Sequence, residues 1–151
     1  MRSGLLLVLA GACFACGPIG PIAGGELRGS PHEGSLPSWD FVSEVETVQL
    51  ETGPDDPYSV NVWIGTYEGG LYVPTSLILG DDEPTERKWV RNVEADPRVR
   101  LRVDGTVYEL QARRVEDEST LEGVRAALLA KYEAEADDHA RQAWIYQLGP
   151  R

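Results

Sequence analysis

Three arginines at alternate positions, Arg98, Arg100 and Arg102, are the residues whose type and spacing suggest chemistry first. Alternate residues of a β-strand point to one face, so three guanidinium groups would line that face and could bind a phosphate or carboxylate group. The alternative is a solvated outer face. Glu109, which we expect opposite Arg100, favours this alternative because a cross-strand ion pair needs no ligand.

Other kinds of site lack the residues that they need. His139 stands alone beside Asp137 and Asp138, and a single histidine does not make a metal site. The sequence has no G-x-S-x-G, Walker or G-x-G-x-x-G motif, and no pair of carboxylates is marked as a glycosidase dyad. The net charge of −11 argues against nucleic acid as a partner and against attraction to anionic lipid.

A short helix followed by a hairpin must position the arginines. Trp89, Asn92 and Val93 fall on one helical face, and Pro84 suits a first-turn position upstream. Pro97 forces the preceding residue out of the helical region, so the helix should end near residue 95 or 96.

The hairpin that follows has a readable register, because Asp104 and Gly105 are typical of a two-residue type I′ turn. Pairing back from that turn sets apolar residues opposite apolar ones and cations opposite anions. The predicted pairs are Val103 with Thr106, Arg102 with Val107, Leu101 with Tyr108, Arg100 with Glu109 and Val99 with Leu110. A shift of one residue would turn every side chain to the wrong face.

The remaining pattern predicts a small antiparallel barrel. Further strands are expected at residues 45–51, 59–64, 71–79 and 143–151, after a short helical or irregular segment at 39–43. Ser119 and Glu122 have the spacing of a capping box and should open one long helix. Six strands that arrive as neighbouring hairpins favour antiparallel pairing.

The N-terminus predicts export. Residues 1–12 combine an early arginine, a short apolar run and small residues, which is typical of a signal peptide. The sequence LAGAC resembles a bacterial lipoprotein signal, in which Cys13 would be lipidated. Plain cleavage after Ala12 and an uncleaved apolar helix of a cytosolic protein are the alternatives, and Cys13 with Cys16 could also form a redox pair. We expect an exported protein of the cell envelope, lipid-anchored to a membrane through Cys13.

Three segments are therefore expected: a signal peptide (1–12), a lipid-anchored flexible tether (13–37) and one domain (38–151). Residues 17–37 are rich in Gly and Pro and have no periodicity, as expected of a tether. Both cysteines precede the domain, so neither a disulfide nor a cysteine zinc site is available to it.

The series from Tyr72 to Arg151 resembles the split β-barrel superfamily of pyridoxamine-phosphate-oxidase-like flavoproteins, and most closely its deazaflavin-dependent nitroreductase branch. After the helix-to-strand segment, the Asp-Gly hairpin and then a later helix follow in the same chain order as in that branch. The motifs that carry the resemblance are Trp89-x-x-Asn92, then Ala95-Asp96-Pro97-x-Val99, and the closing Leu148, Pro150 and Arg151.

The resemblance implies an α+β, mainly β fold: a six-stranded antiparallel split β-barrel with a helix between strands 3 and 4 and a long helix in the C-terminal half. It also implies a homodimer that holds FMN or a deazaflavin coenzyme across its interface. Carried onto this sequence, the cofactor-binding positions are Thr75, Ser76, Arg87, Lys88 and Trp89. The resemblance assigns no catalytic residue.

The sequence departs from that family in its charges. Where the family has a basic first hairpin, this chain has Asp55 and Asp56, which would repel a phosphate. Four carboxylates also precede Arg87 and Lys88, so these cations are alternatively solvated helix ends. We expect Trp89 to belong to the core and Asn92 to be a buried amide that braces a loop.

Two functions remain open from the sequence. The first is a lipid-anchored redox protein, nitroreductase-like, that binds FMN or a deazaflavin coenzyme and passes hydride to a small molecule. Since the leader lacks twin arginines, the chain should cross the membrane unfolded and meet any cofactor outside. The second is a cofactor-free module on the same barrel that binds a small-molecule ligand or another protein.

Overall fold

The computed structural model describes residues 24–77, 83–135 and 138–151, which form an antiparallel sheet with flanking helices. The strands are β1 (Ser30–Pro31), β2 (Val48–Thr52), β3 (Tyr58–Val62), β4 (Gly65–Tyr67), β5 (Gly70–Pro74), β6 (Arg98–Val103), β7 (Thr106–Arg114) and β8 (Ile145–Pro150). The α-helices are α1 (Lys88–Ala95), α2 (Glu118–Lys131) and α3 (Asp138–Gln142), and short 3-10 helices span Asp40–Glu44 and Pro84–Glu86. The predicted signal peptide, Cys13 and Cys16 lie outside the described residues. Within the described part, no helix is long and apolar enough to cross a membrane.

The strands follow the order β3-β2-β6-β7-β8-β5-β4, and every pair of neighbours in that path is antiparallel. β3 and β4 are the two ends of this path, although only Trp63 and Ile64 separate them in the chain. The sheet therefore curls until its two edges meet, and this closes a split β-barrel. The predicted α+β, mainly β fold is confirmed. Eight strands are described rather than the expected six, because β1 and β4 are additional. The expected strand 71–79 is β5, which ends at Pro74.

The predicted hairpin register is confirmed at all five pairs. Asp104 and Gly105 both have positive φ, 46° and 84°, as a type I′ turn requires. The expected ion pair between Arg100 and Glu109 is wrong, although their Cα atoms are opposite each other. Arg100 donates to Glu51 on its other side at 3.0 Å, because that carboxylate is buried and needs a partner, while Glu109 pairs with Arg151 at 3.2 Å.

The arginine face is covered at Arg100 and Arg102, whereas Arg98 is exposed and pairs with Asp96. Residues 24–31, predicted to belong to the flexible tether, cross it as a strap: β1 pairs with β7 in parallel, and the Leu27 side chain is buried. The Leu27 amide donates to Glu51, the Leu27 carbonyl accepts from Arg100 at 3.2 Å, and the Arg28 carbonyl accepts from Arg102 at 2.9 Å. The ordered unit thus begins before residue 38, because two arginines offer the strap hydrogen bonds that Gly and Pro composition does not reveal.

The end of α1 agrees with the sequence prediction, whereas the start of α2 does not. α1 ends at Ala95 as predicted, one residue before Asp96-Pro97. The capping box of Ser119 and Glu122 is wrong, since α2 begins earlier and its N-cap is Asp117. The Asp117 carboxylate accepts from Ser119 Oγ at 2.6 Å and from the Thr120 amide at 2.8 Å, and these bonds lower its pKa to about 2. A carboxylate satisfies the first turn better than a hydroxyl, so it takes the capping position.

The core has two parts. The barrel interior holds the larger part, in which Leu50, Leu101 and Leu110 are fully buried. The second part lies between the outer face of the sheet and the helices α2 and α3, and it includes Leu128 and Ile145. α2 approaches the sheet closely, because a Cβ at Gly65 of β4 would lie only 2.6 Å from Leu128. Glycine is therefore needed at that contact.

The ion pair beneath the strap should stabilise the fold. We expect Glu51→Gln to lower the free energy of unfolding by about 2 kcal/mol, because it leaves the half-buried Arg100 with only a long contact, 3.7 Å, to the exposed Glu26. The matched control is Glu109→Gln, which removes the same charge from an exposed pair and should cost no more than about 0.5 kcal/mol. Urea unfolding measures both. Equal losses in the two variants would contradict the role of Glu51.

Candidate functional site

A cleft of about 380 Å³ opens between β3 and the end of β5. Its walls come from β3 and the connection after it, the end of β5, and the start of α1. The lining residues are Tyr58, Val60, Asn61, Val62, Trp63, Pro74, Thr75, Ser76, Leu77, Arg87, Lys88 and Trp89. All five predicted cofactor-binding positions, Thr75, Ser76, Arg87, Lys88 and Trp89, lie in this one cleft. They meet because the barrel brings the end of β5 next to the start of α1.

Lys88 occupies the first position of α1 and faces the turn between β2 and β3. Its Nζ lies 3.4 Å from Asp56 Oδ2 and 4.7 Å from the centre of the Tyr58 ring. Both charged side chains are exposed, Asp56 to 90%, so the pair is solvated and weak. Among the described residues, the carboxylate that pairs with Lys88 is thus Asp56, which comes from the acidic first hairpin.

Thr75 links the cleft to the strand that follows α3. Its amide donates to the Trp144 carbonyl at 2.9 Å, and its Oγ1 accepts from the Trp144 amide at 3.1 Å. The hydroxyl still has its own hydrogen to donate. Its position is therefore fixed by the fold, with a donor available to a ligand.

Trp89 fulfils the expectation that it belongs to the core. Only 4% of it is exposed, and its ring packs edge to face against Tyr146 with 5.6 Å between ring centres. Tyr146 donates to Glu94 at 2.8 Å, and burial raises its pKa above the ordinary tyrosine value. The contact with Tyr146 thus fixes the Trp89 ring, which lines the cleft.

Two side chains of α1 hold the neighbouring segments in place. Arg91 donates to the Thr85 carbonyl at 3.0 Å, which fixes the segment that presents Arg87. Asn92 donates to Thr52 Oγ1 at 3.1 Å and so ties α1 to the β2–β3 hairpin. Asn92 was expected to be a buried amide that braces a loop; it is half-buried, and it bonds instead to the last residue of β2. The two walls that carry the cations and Asp56 are thereby fixed relative to each other.

Sequence reasoning missed the aromatic wall of the cleft. Trp63 stacks on Tyr132 of the α2 end, with ring centres 4.0 Å apart and an interplanar angle of 4°. Tyr58 lies at the opposite end of β3. The sequence did offer a signal: Trp63 falls on the polar side of an alternating strand. A large aromatic side chain in such a position often marks a contact or a binding surface.

The described lining combines binding groups of three kinds: two cations, two hydroxyls and aromatic faces. It includes no histidine, cysteine or carboxylate, and no group of metal ligands occurs among the described residues. Such a set can hold a flat ring with an anionic tail.

Fold and cleft together define a split β-barrel protein of the pyridoxamine-phosphate-oxidase-like class. Residues 60–145 match the family model described as F420H(2)-dependent quinone reductase, and the chain belongs to this family. The matched segment runs from β3 to the start of β8 and so contains almost the whole cleft lining. No curated protein sequence matches the chain.

Several solved structures share the fold at low sequence identity. Conserved hypothetical protein Rv2991 from Mycobacterium tuberculosis aligns with a TM-score of 0.56 and 22% identity, over 74% of this chain and 77% of that chain. The heme storage protein HutZ from Vibrio cholerae gives 0.56 and 20%, over 74% and 86%. A FAD-binding protein from Mesorhizobium loti gives 0.51 and 17%, over 79% and 91%. These similarities support the fold.

The contact between Lys88 and Asp56 predicts that Asp56 weakens anion binding in the cleft. We expect Asp56→Asn to raise the affinity for inorganic pyrophosphate about threefold to fivefold, as the loss of about 1 kcal/mol of competing attraction in water implies. Asp55→Asn is the matched control, since it removes the same charge one residue away. Calorimetric titration at constant ionic strength compares them. A similar gain in both variants would mean that overall charge matters and the contact does not.

Proposed function

We propose that the protein is a redox protein that binds a reduced deazaflavin coenzyme, or FMN, in the cleft and passes hydride to a small acceptor such as a quinone. The single observation that carries this proposal is the convergence of Thr75, Ser76, Arg87 and Lys88 with an aromatic wall inside the segment that matches the family. The FAD-binding protein of the same fold adds support for a flavin-type ring.

The residues present fit such a coenzyme in donor chemistry. A phosphate group needs cations and hydroxyl or amide donors, and the cleft offers both at the end of β5 and the start of α1. A tricyclic ring needs flat apolar surface, which Trp63 and Tyr58 supply. The Lys88–Asp56 pair opposes the fit, yet it is exposed and so can be exchanged for a phosphate contact.

The roles of the residues follow from these positions. Arg87 and Lys88 would neutralise the phosphate, and Thr75 would donate its hydroxyl hydrogen to the same group. Ser76 is the second hydroxyl at this wall. Trp63 would lie against the ring and keep water from one face. The bound coenzyme supplies the hydride, and the protein supplies orientation and electrostatics.

A cofactor-free module that binds a small ligand or another protein is the second candidate. Two observations favour it: the first hairpin carries no basic cluster, and Asp56 already pairs with Lys88. On this alternative the cleft would accept a less charged ligand through Tyr58 and Trp63. Coenzyme binding separates the two functions.

We also propose that the protein works as a homodimer anchored in the cell envelope. β3 is an edge strand that lines the cleft, so a second copy could complete the open side. The strap runs from the described start of the chain at Gly24, whose amide donates to Ser59 of β3 at 3.0 Å. If Cys13 carries lipid, Gly24 would lie within about 40 Å of the anchor along a fully extended chain.

Coenzyme binding tests the redox proposal. We expect the purified protein to quench deazaflavin coenzyme fluorescence with a dissociation constant of about 10 μM or lower, and to bind FMN more weakly. Lys88→Gln should weaken binding about tenfold, because a charge-assisted hydrogen bond is lost. Arg113→Gln, an exposed arginine that contacts Gln147, is the matched control and should bind normally.

The rate at which a water-soluble quinone oxidises the reduced coenzyme should be similar in the wild-type protein and Arg113→Gln. It should be lower in Lys88→Gln. If folded protein binds neither coenzyme at about 100 μM, the cofactor-free alternative replaces the redox proposal.

The lipid anchor is tested separately. We expect the wild-type protein, made in a bacterial host, to incorporate labelled fatty acid and to sediment with membranes, whereas Cys13→Ser should do neither. Cys16→Ser is the control that leaves the small residues before Cys13 unchanged. Membrane association that persists in Cys13→Ser would contradict the anchor.

A further inference from the structure

A second cavity, of about 300 Å³, lies between the end of β7, α2 and α3. Arg114, Arg125 and Arg141 contribute to its lining, together with Trp144 and Leu121. None of these residues lines the cleft described above. Three guanidinium groups around one small cavity concentrate positive charge in a chain with a net charge of −11, and an indole lies beside them.

Two of the arginines are fixed by the fold. The Arg114 guanidinium lies over the Trp144 ring, 4.2 Å from its centre, which holds the planar group in one orientation. Arg125 is 19% exposed in its side chain, and one of its terminal nitrogens donates to the Arg141 carbonyl at 3.1 Å. Its Nε is buried and has no hydrogen-bond partner among the described residues. Such a buried donor is costly unless something accepts from it.

Most carboxylates near these arginines are on the solvent side; the exception is Glu94, which is 43% exposed and lies 3.9 Å from Arg114. Arg114 pairs with Glu116 at 3.0 Å and Arg141 with Asp138 at 3.0 Å, and both carboxylates are more than three-quarters exposed. The Arg125 contact with Glu118 is long, 3.9 Å, and Glu118 is 86% exposed. Exposed ion pairs contribute little, so an anion entering the cavity could replace them.

We propose that this cavity is a second binding site, for a small molecule that bears a phosphate or carboxylate group. Guanidinium groups present planar pairs of donors that match the oxygens of such a group, and an acceptor in the cavity would satisfy Arg125 Nε. The site is next to the wall of the cleft. Trp144 lines the second cavity, and its backbone amide and carbonyl are both hydrogen-bonded to Thr75, which lines the cleft. The proposal rests on these contacts and does not depend on the redox function.

Titration of the full chain with pyrophosphate and, separately, with citrate tests the site and distinguishes phosphate from carboxylate. The Trp144 indole N–H signal in ¹⁵N spectra at constant ionic strength is the readout. We expect a saturable shift with at least one anion, and Arg125→Gln should weaken binding about tenfold. Arg113→Gln and Lys88→Gln should leave it within about twofold, since neither residue lines the cavity.

If Arg125→Gln does not fold, Arg141→Gln is the second variant, because its side chain is 74% exposed and its loss should not disturb the core. If neither pyrophosphate nor citrate gives a saturable shift at up to about 10 mM, the proposal is overturned. So would unchanged binding in the arginine variants. Loss of the shift in Lys88→Gln alone would also overturn it, because the anion would then be bound in the cleft.

Discussion

The two edges of the sheet are joined by only Trp63 and Ile64, and this short connection constrains the rest of the fold. β3 and β4 must come together, although they do not pair with each other. The backbone of Ile64 is buried at this point and finds its partners on α2: its amide donates to the Tyr132 hydroxyl at 2.9 Å, and its carbonyl accepts from Lys131 at 2.7 Å. Because an unpaired buried backbone group costs about 1–3 kcal/mol, the end of α2 is needed to hold the split closed.

The cleft follows from this closure. Trp63, the other residue of the connection, stacks on Tyr132 and so is fixed by the same helix end that satisfies Ile64. The opposite wall is fixed by Thr75, whose backbone and hydroxyl are bonded to Trp144. A cleft formed where a barrel closes is therefore made of side chains that the fold already holds in place. Such preorganisation lowers the entropy that a ligand must lose on binding.

How much the sequence could predict depended on the range of the interactions. The hairpin register and the end of α1 were predictable because Asp104-Gly105 and Pro97 act on their immediate neighbours. The partner of Arg100 was not, since Glu51 comes from a strand 49 residues away and the strap that buries it has the composition of a linker. The five cofactor-binding positions came from resemblance, and their meeting in one cleft depends on the barrel rather than on any spacing in the chain. Trp63 was missed because strand alternation alone gives it an outer position.

The first hairpin opposes an anion in the cleft less than the sequence suggested. Two aspartates in the first hairpin looked hostile to a phosphate, yet only Asp56 contacts a cation of the cleft, Lys88, and that contact is exposed to water. In a water-like dielectric one pair at 3.4 Å is worth about 1 kcal/mol, which changes an equilibrium about fivefold. An effect of that size tunes affinity without abolishing it. Asp56 therefore limits how tightly the cleft holds an anionic tail at Lys88 without preventing binding.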